Sequence, residues 1–168
     1  MTLALSGSGT ITGLVAGGVF PTLHVRDEKT ATTSGGASSA ATDNVRTLNT
    51  VVTNEITGAS LSSNQITLPA GTYFIQATAP AFLTNRHRIF LYNTSDSAVE
   101  LLGRNVYSDS TDSGFNTSDM TGRFTIASSK VFELRHYTES ARASNGLGVD
   151  ANDSRTSIFA DVIITKVA

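Results

Sequence analysis

The sequence predicts an all-β chain, a two-sheet jelly-roll β-sandwich preceded by a short extended N-terminal arm, and three observations predict it. Charged residues make up only 15% of the chain, whose polarity comes from 20 Ser and 24 Thr; Thr, with the Val, Ile and aromatic residues, fits a pleated, half-buried surface. Short alternating polar and apolar stretches recur from residue 22 to the end, separated by Gly, Asn, Asp and Ser, the spacing of a sandwich or barrel. No stretch carries helical periodicity over three turns. At 168 residues there is room for one core, placed at 21–168, with the arm at 1–20.

The arm mixes Gly and Ser with isolated apolar residues, of which Leu3, Leu5, Ile11 and Leu14 are the candidate docking contacts. It is too short to bury them alone and needs a partner surface. TLHVRDEK (22–29) alternates as a strand, followed by a flexible loop over 30–44. NTVVTNEI (49–56) is the next strand. NQITL (64–68) and TYFIQATA (72–79) flank Pro69-Ala70-Gly71, in which Pro fixes φ and Gly tolerates positive φ, the reading being a hairpin. RHRIFLY (86–92) and 98–102 make a second hairpin, and GRFTIA (122–127) with KVFELRHY (130–137) a third. Polar loops are read at 108–119 and 140–155. The last strand, 156–167, places Ile158, Ala160, Val162 and Ile164 on one face and Phe159 and Ile163 on the other. An apolar residue set on both faces points to packing against another subunit. Phe90 and Tyr92, on one face with Arg86 and Arg88, point the same way.

With no Cys, disulfides, thiolate zinc sites and thiol nucleophiles are excluded together. A net charge of −2 gives no general attraction for nucleic acid or anionic lipid. No apolar run approaches the roughly 20 residues that span a bilayer, and residues 1–20 lack the pattern of a secretory signal. The expectation is a chain soluble as made, without nucleic-acid partners or membrane insertion.

The blocks LNTVVTNEITGASLSSNQITLPAGTYFIQATAPAF (48–82), RHRIFLYNTSDSAVELLG (86–103) and GRFTIASSKVFELRHY (122–137), closing on a terminal strand, resemble a family of phage virion proteins similar to the tumour-necrosis-factor and complement globular-head jelly rolls. LSGSGTITGLVAGG (5–18) also resembles the start of phage fibre and appendage proteins. The resemblance implies a compact homotrimer around a three-fold axis lined by aromatics, with Phe90, Tyr92, Phe159 and Ile163 as candidates for the trimer interface. It implies a place on the virion exterior, either as a fibre or spike head that contacts a host surface glycan or protein, or as a capsid decoration protein at three-fold sites. In both cases the arm docks on coat or tail proteins. There is no Gly-X-Y stalk, and no residue matches a calcium ligand of the complement-type heads.

Little else in the sequence carries chemistry. His24, His87 and His136 sit in no metal-ligand spacing, and there is no Gly-x-Ser-x-Gly elbow or P-loop. Asp109, Asp112 and Asp119 share a loop with Ser and Asn, oxygen donors that hard cations take, but their spacing matches no defined calcium loop, and the reading favoured over a calcium site is a solvated polar turn. Arg86 and Arg88 form the densest basic cluster, suited to an anionic sugar or a neighbouring subunit's carboxylate, or simply solvated. Arg86, Arg88, Asp109 and Asp112 are therefore the candidate ligand contacts. The expectation is a non-enzymatic protein with no cofactor and no metal, recognition residing in the loops 30–44, 105–120 and 140–155.

Overall fold

The computed structural model describes residues 20–111 and 115–168. Leu3, Leu5, Ile11, Leu14 and Asp112 lie outside the described residues. Among those described there are twelve strands and no helix: β1 (Thr22–Lys29), β2 (Thr42–Val45), β3 (Thr50–Asn54), β4 (Ser60–Ser62), β5 (Gln65–Leu68), β6 (Gly71–Phe82), β7 (Asn85–Asn93), β8 (Ala98–Leu102), β9 (Val106–Ser108), β10 (Phe115–Ile126), β11 (Lys130–Thr138) and β12 (Ser157–Lys166). They form two antiparallel sheets. One has the order β10-β6-β12-β1-β3; the other runs β4-β5-β11-β7-β8, with β2 also on β11 and β9 also on β7. The first strand has the bounds the alternation of TLHVRDEK predicts, and β7 with β8 is the predicted hairpin.

Two predicted hairpins are instead arches between the sheets. β5 pairs with β11 and β6 with β10, so Pro69-Ala70 carries the chain from one sheet to the other, and Ser128-Ser129 does the same between β10 and β11. A short turn between alternating strands serves either connection; burying the apolar faces of both sheets selects the arch. At the first arch Gly71 lies so close to the chain's last residues that a Cβ there would sit 2.9 Å from the Ala168 carbonyl. The loops predicted over 30–44 and 105–120 contain β2, β9 and the start of β10. The polar run beginning at Phe115 continues the ladder on β6, from Phe115 opposite Phe82 to Met120 opposite Ala77. β10 is an edge strand, where outward polar side chains meet water.

The last strand departs from simple alternation. Between Asp27 and Glu28 the register of β1 on β12 shifts, Asp27 facing Ala160 and Glu28 facing Ile158. Phe159 is the extra residue of this bulge. Its side chain turns inward and is 3% exposed, whereas Ile158 turns out and is 47% exposed. Phe159 therefore leaves the predicted seam face, on which Ile163 remains.

The interior is graded from end to end. One end is aromatic: Tyr73 stacks on Phe124, which meets Phe132 edge-on, each at 5.5 Å between ring centroids. Toward the other end the inward residues of β6 shorten to Ala77, Ala79 and Ala81, and polar groups enter. Arg46, fully buried, donates from Nη1 to the carbonyls of Leu147 (2.9 Å) and Pro80 (3.3 Å) and from Nη2 to that of Phe159 (2.7 Å). Buried Asp27 lies 3.9 Å from Nη2 and 3.0 Å from the Lys29 ammonium. Burial lowers the Arg46 pKa to about 10, Asp27 opposing the shift, so the guanidinium stays charged. His87 Nδ1 and His136 Nε2 share one hydrogen bond at 2.9 Å, and both rings are buried. Burial, then the Arg46 charge, lowers the His87 pKa to about 4; the same causes and His87 itself push His136 well below its ordinary value.

Two outcomes follow. Phe132→Ala, which removes a ring with no solvent exposure, is expected to cost about 3–5 kcal/mol in urea unfolding. Because the folded pKa values of His87 and His136 lie below the unfolded value of roughly 6.5, their contribution is fully present above that pH and lost as pH falls through the folded values, about 4 for His87 and well below the ordinary value for His136. Urea titrations at pH 7 and pH 5 should differ by about 2–4 kcal/mol, the loss growing by up to ~1.4 kcal/mol per pH unit per histidine; His87→Asn should reduce that difference.

Candidate binding groove

The outer face of the β4-β5-β11-β7-β8 sheet is built of rows in which arginines and aromatics are cross-strand neighbours. On β7, His87, Ile89 and Leu91 point inward, so Arg86, Arg88, Phe90 and Tyr92 share the outer face, as the sequence predicts. Register then places Tyr107 of β9 beside Arg86, Tyr137 of β11 beside Arg88, Arg135 beside Phe90 and Glu133 beside Tyr92. The Arg135 guanidinium lies 3.5 Å from the Tyr92 ring centroid and 2.8 Å from Glu133. Phe90, flanked across strands by Arg135 and Leu102, is only 4% exposed although it faces outward. Phe90 is thus covered within the protomer, while Tyr92 keeps part of its surface accessible.

A groove opens where two short strands share one edge of β7. β8 pairs with residues 90–93 and β9 with residues 85–87, and the chain between them bends away to bond β10, the Arg104 N–H donating to the Asp119 carbonyl at 2.9 Å. Gly103 makes the bend: a Cβ there would lie 2.6 Å from the Ile89 carbonyl oxygen and 2.9 Å from that of Asp119. Buried Ser118 secures it, accepting from the Ile89 N–H at 3.0 Å and donating to the Arg104 carbonyl at 2.8 Å. The resulting concavity of about 640 Å³ is lined by Arg86, Arg88, Asn105, Val106, Tyr107 and Tyr137, with His87 at its base. A smaller one of about 140 Å³ adjoins it, sharing Arg88 and Tyr137 and adding Asp43, Phe90, Val99 and Leu102.

The three arginines on this face differ in their partners. Arg86 is paired with Glu139 at 2.6 Å and Arg135 with Glu133. Arg88, half-buried, meets only the Asn105 Oδ1 at 3.4 Å, and among the described residues no carboxylate forms an ion pair with it. Of the other predicted contacts, Asp109 is engaged in a local turn, accepting from the Thr111 N–H and hydroxyl at 2.8 and 2.7 Å. Asp119 pairs with Arg104 at 3.5 Å. No group of three or more His, Asp or Glu among the described residues is placed to hold a metal ion.

The outer face of the other sheet is distinct. At its centre His24 Nε2 and Arg26 Nε meet the two Asp161 oxygens at 2.5 and 3.2 Å. Beside this polar centre are Phe74, 37% exposed, and half-buried Ile163; toward the other end are Ile158 and Phe115, the latter 54% exposed. The four predicted seam residues therefore lie in three settings: Phe159 in the core, Phe90 and Tyr92 beside the groove, and Ile163 on the opposite sheet. Sequence reasoning missed Tyr107, Tyr137 and Asn105. The alternation of KVFELRHY already put Tyr137 on the face of Glu133 and Arg135; the pairing of that strand with β7 was the absent information.

No family model and no curated protein matches the chain. Solved structures do match. The globular domain of zebrafish complement 1qA protein superposes with a TM-score of 0.56 at 13% identity, covering 89% of this chain and 98% of that one. Eiger TNF from S. frugiperda gives 0.57 at 12% identity, with 89% and 93% covered, and murine APRIL at pH 5.0 gives 0.56 at 10% identity, with 88% and 99% covered. At such identities the likeness is one of fold, and the domain is a jelly roll of the tumour-necrosis-factor and complement 1q type.

Proposed function

We propose that this chain is a non-enzymatic structural protein of a phage virion exterior, a homotrimeric jelly roll that forms a fibre or spike head and contacts the host surface. The observation that carries the assembly is the outer face of the β10-β6-β12-β1-β3 sheet. In an isolated protomer this face leaves Phe74, Ile163, Ile158 and Phe115 in contact with water around a preformed His24–Asp161–Arg26 cluster. Covering them in copies of the same chain buries apolar surface worth roughly 25 cal/mol per Å² without lengthening the polypeptide or adding a disulfide. Tyr92, on the other sheet, lies beside the groove rather than on this face. The likeness to tumour-necrosis-factor and complement 1q jelly rolls supports the scaffold; the sequence blocks over 48–82, 86–103 and 122–137 support the virion assignment.

At micromolar concentration the protein is expected to sediment as a species of three 17.6 kDa chains, and Phe74→Asp or Ile163→Asp to sediment as single chains with far-ultraviolet spectra unchanged. A monomeric parent protein overturns the assembly. Gold-labelled antibody to the chain should mark tail fibres or spikes of intact virions in electron micrographs. Label over the capsid lattice assigns the decoration role instead, and unlabelled virions overturn the virion assignment.

A further inference from the structure

We propose that the groove between β7, β9 and β11 binds a carboxylate-bearing sugar unit of a surface polysaccharide, its carboxylate on Arg88 and its ring against Tyr107 and Tyr137. The proposal rests on the reading of this chain as a surface-contact protein only for where such a polymer is met. The groove itself belongs to a single protomer.

Three features select this ligand class. The charge inventory singles out Arg88: Arg86 and Arg135 have carboxylate partners at 2.6 and 2.8 Å, while among the described residues Arg88 has a lone 3.4 Å contact with Asn105. A half-buried guanidinium without a counterion is a ready partner for an external carboxylate, which it grips through two parallel N–H donors. Tyr107 and Tyr137 supply apolar ring faces with hydroxyl tips, and Asn105 a side-chain amide, the mixture that suits a molecule with C–H faces and hydroxyl edges. The concavity of about 640 Å³ lies within the ~300–1,000 Å³ typical of small-ligand sites.

The features disfavour an acidic peptide. Both edges of β7 are already paired, with β11 on one side and β8 and β9 on the other, so a peptide cannot add there as a strand. The adjoining concavity carries Asp43 and the apolar side chains of Phe90, Val99 and Leu102. That arrangement places an anionic group toward Arg86 and Arg88 and leaves the Asp43 side to the uncharged part of the polymer.

The full chain is titrated by NMR and calorimetry with oligogalacturonate, oligosialic acid, the methyl ester of the same oligogalacturonate, and oligoglutamate. At least one acidic oligosaccharide should bind and shift the ring resonances of Tyr107 and Tyr137. Esterification, Arg88→Gln or Tyr137→Ala should each weaken that binding by about tenfold or more, with Arg88→Lys intermediate and thermal unfolding of the variants near that of the parent. Binding of neither acidic sugar, equal binding of the ester, equal binding of oligoglutamate, or an unaltered Arg88→Gln overturns the proposal. None of these readouts depends on the sedimentation or virion-labelling results.

Discussion

One buried guanidinium joins the two sheets at the end where the core turns polar. Arg46 follows β2 on one sheet and reaches across the interior to the carbonyls of Pro80 and Phe159 on the other and of Leu147 in the connecting loop. A charge in such a place is tolerable only when its donors are used and an opposite charge is near. Three carbonyls take its Nη donors and Asp27 brings the opposite charge to 3.9 Å, while the buried Nε meets no acceptor among the described residues. The Phe159 carbonyl belongs to the bulged residue of β12, so the break in strand alternation and the buried arginine are parts of one arrangement.

The same charge shapes its surroundings. It adds to burial, the larger cause, in holding His87 and His136 neutral, so the two rings can share a single hydrogen bond inside the sandwich. His87 alternates along β7 with Arg86 and Arg88, which face outward into the groove. Loop segments close over this end through backbone bonds, from Gly35 N–H to the Gly148 carbonyl at 2.9 Å and from Phe82 N–H to the Gly146 carbonyl at 3.0 Å. The fold thus carries two unlike outer faces: one sheet offers apolar side chains around a salt-bridged centre, the other a cationic and aromatic groove.

Much of the architecture was legible in the sequence because period-two alternation has a direct physical cause, burial on one side of a pleat. That cause gave the strands, the all-β class and the shared face of Arg86, Arg88, Phe90 and Tyr92. It failed wherever the answer lay in pairing. The turns at Pro69-Ala70 and Ser128-Ser129 look alike as hairpins or arches. The bulge at Phe159 inverts one residue with no local mark. Phe90 lies outward as alternation predicts, yet Arg135 and Leu102 on flanking strands cover it. Arg46 was missed because a lone arginine in NVRTL reads as surface, although it shares its alternation phase with Leu48, which is buried. The groove needed three strands in register, and only one of them carried a visible cluster.

The central claim is that Arg46 locks the polar end of the sandwich, and amide hydrogen exchange of Arg46→Met against the parent protein tests it most directly. The account predicts a local loss of protection at the amides of Gly35, Phe82 and Leu147, while Ile66, Ile75 and Phe132 at the aromatic end keep theirs. Protection lost evenly through both sheets, or unchanged at those three amides, would contradict it.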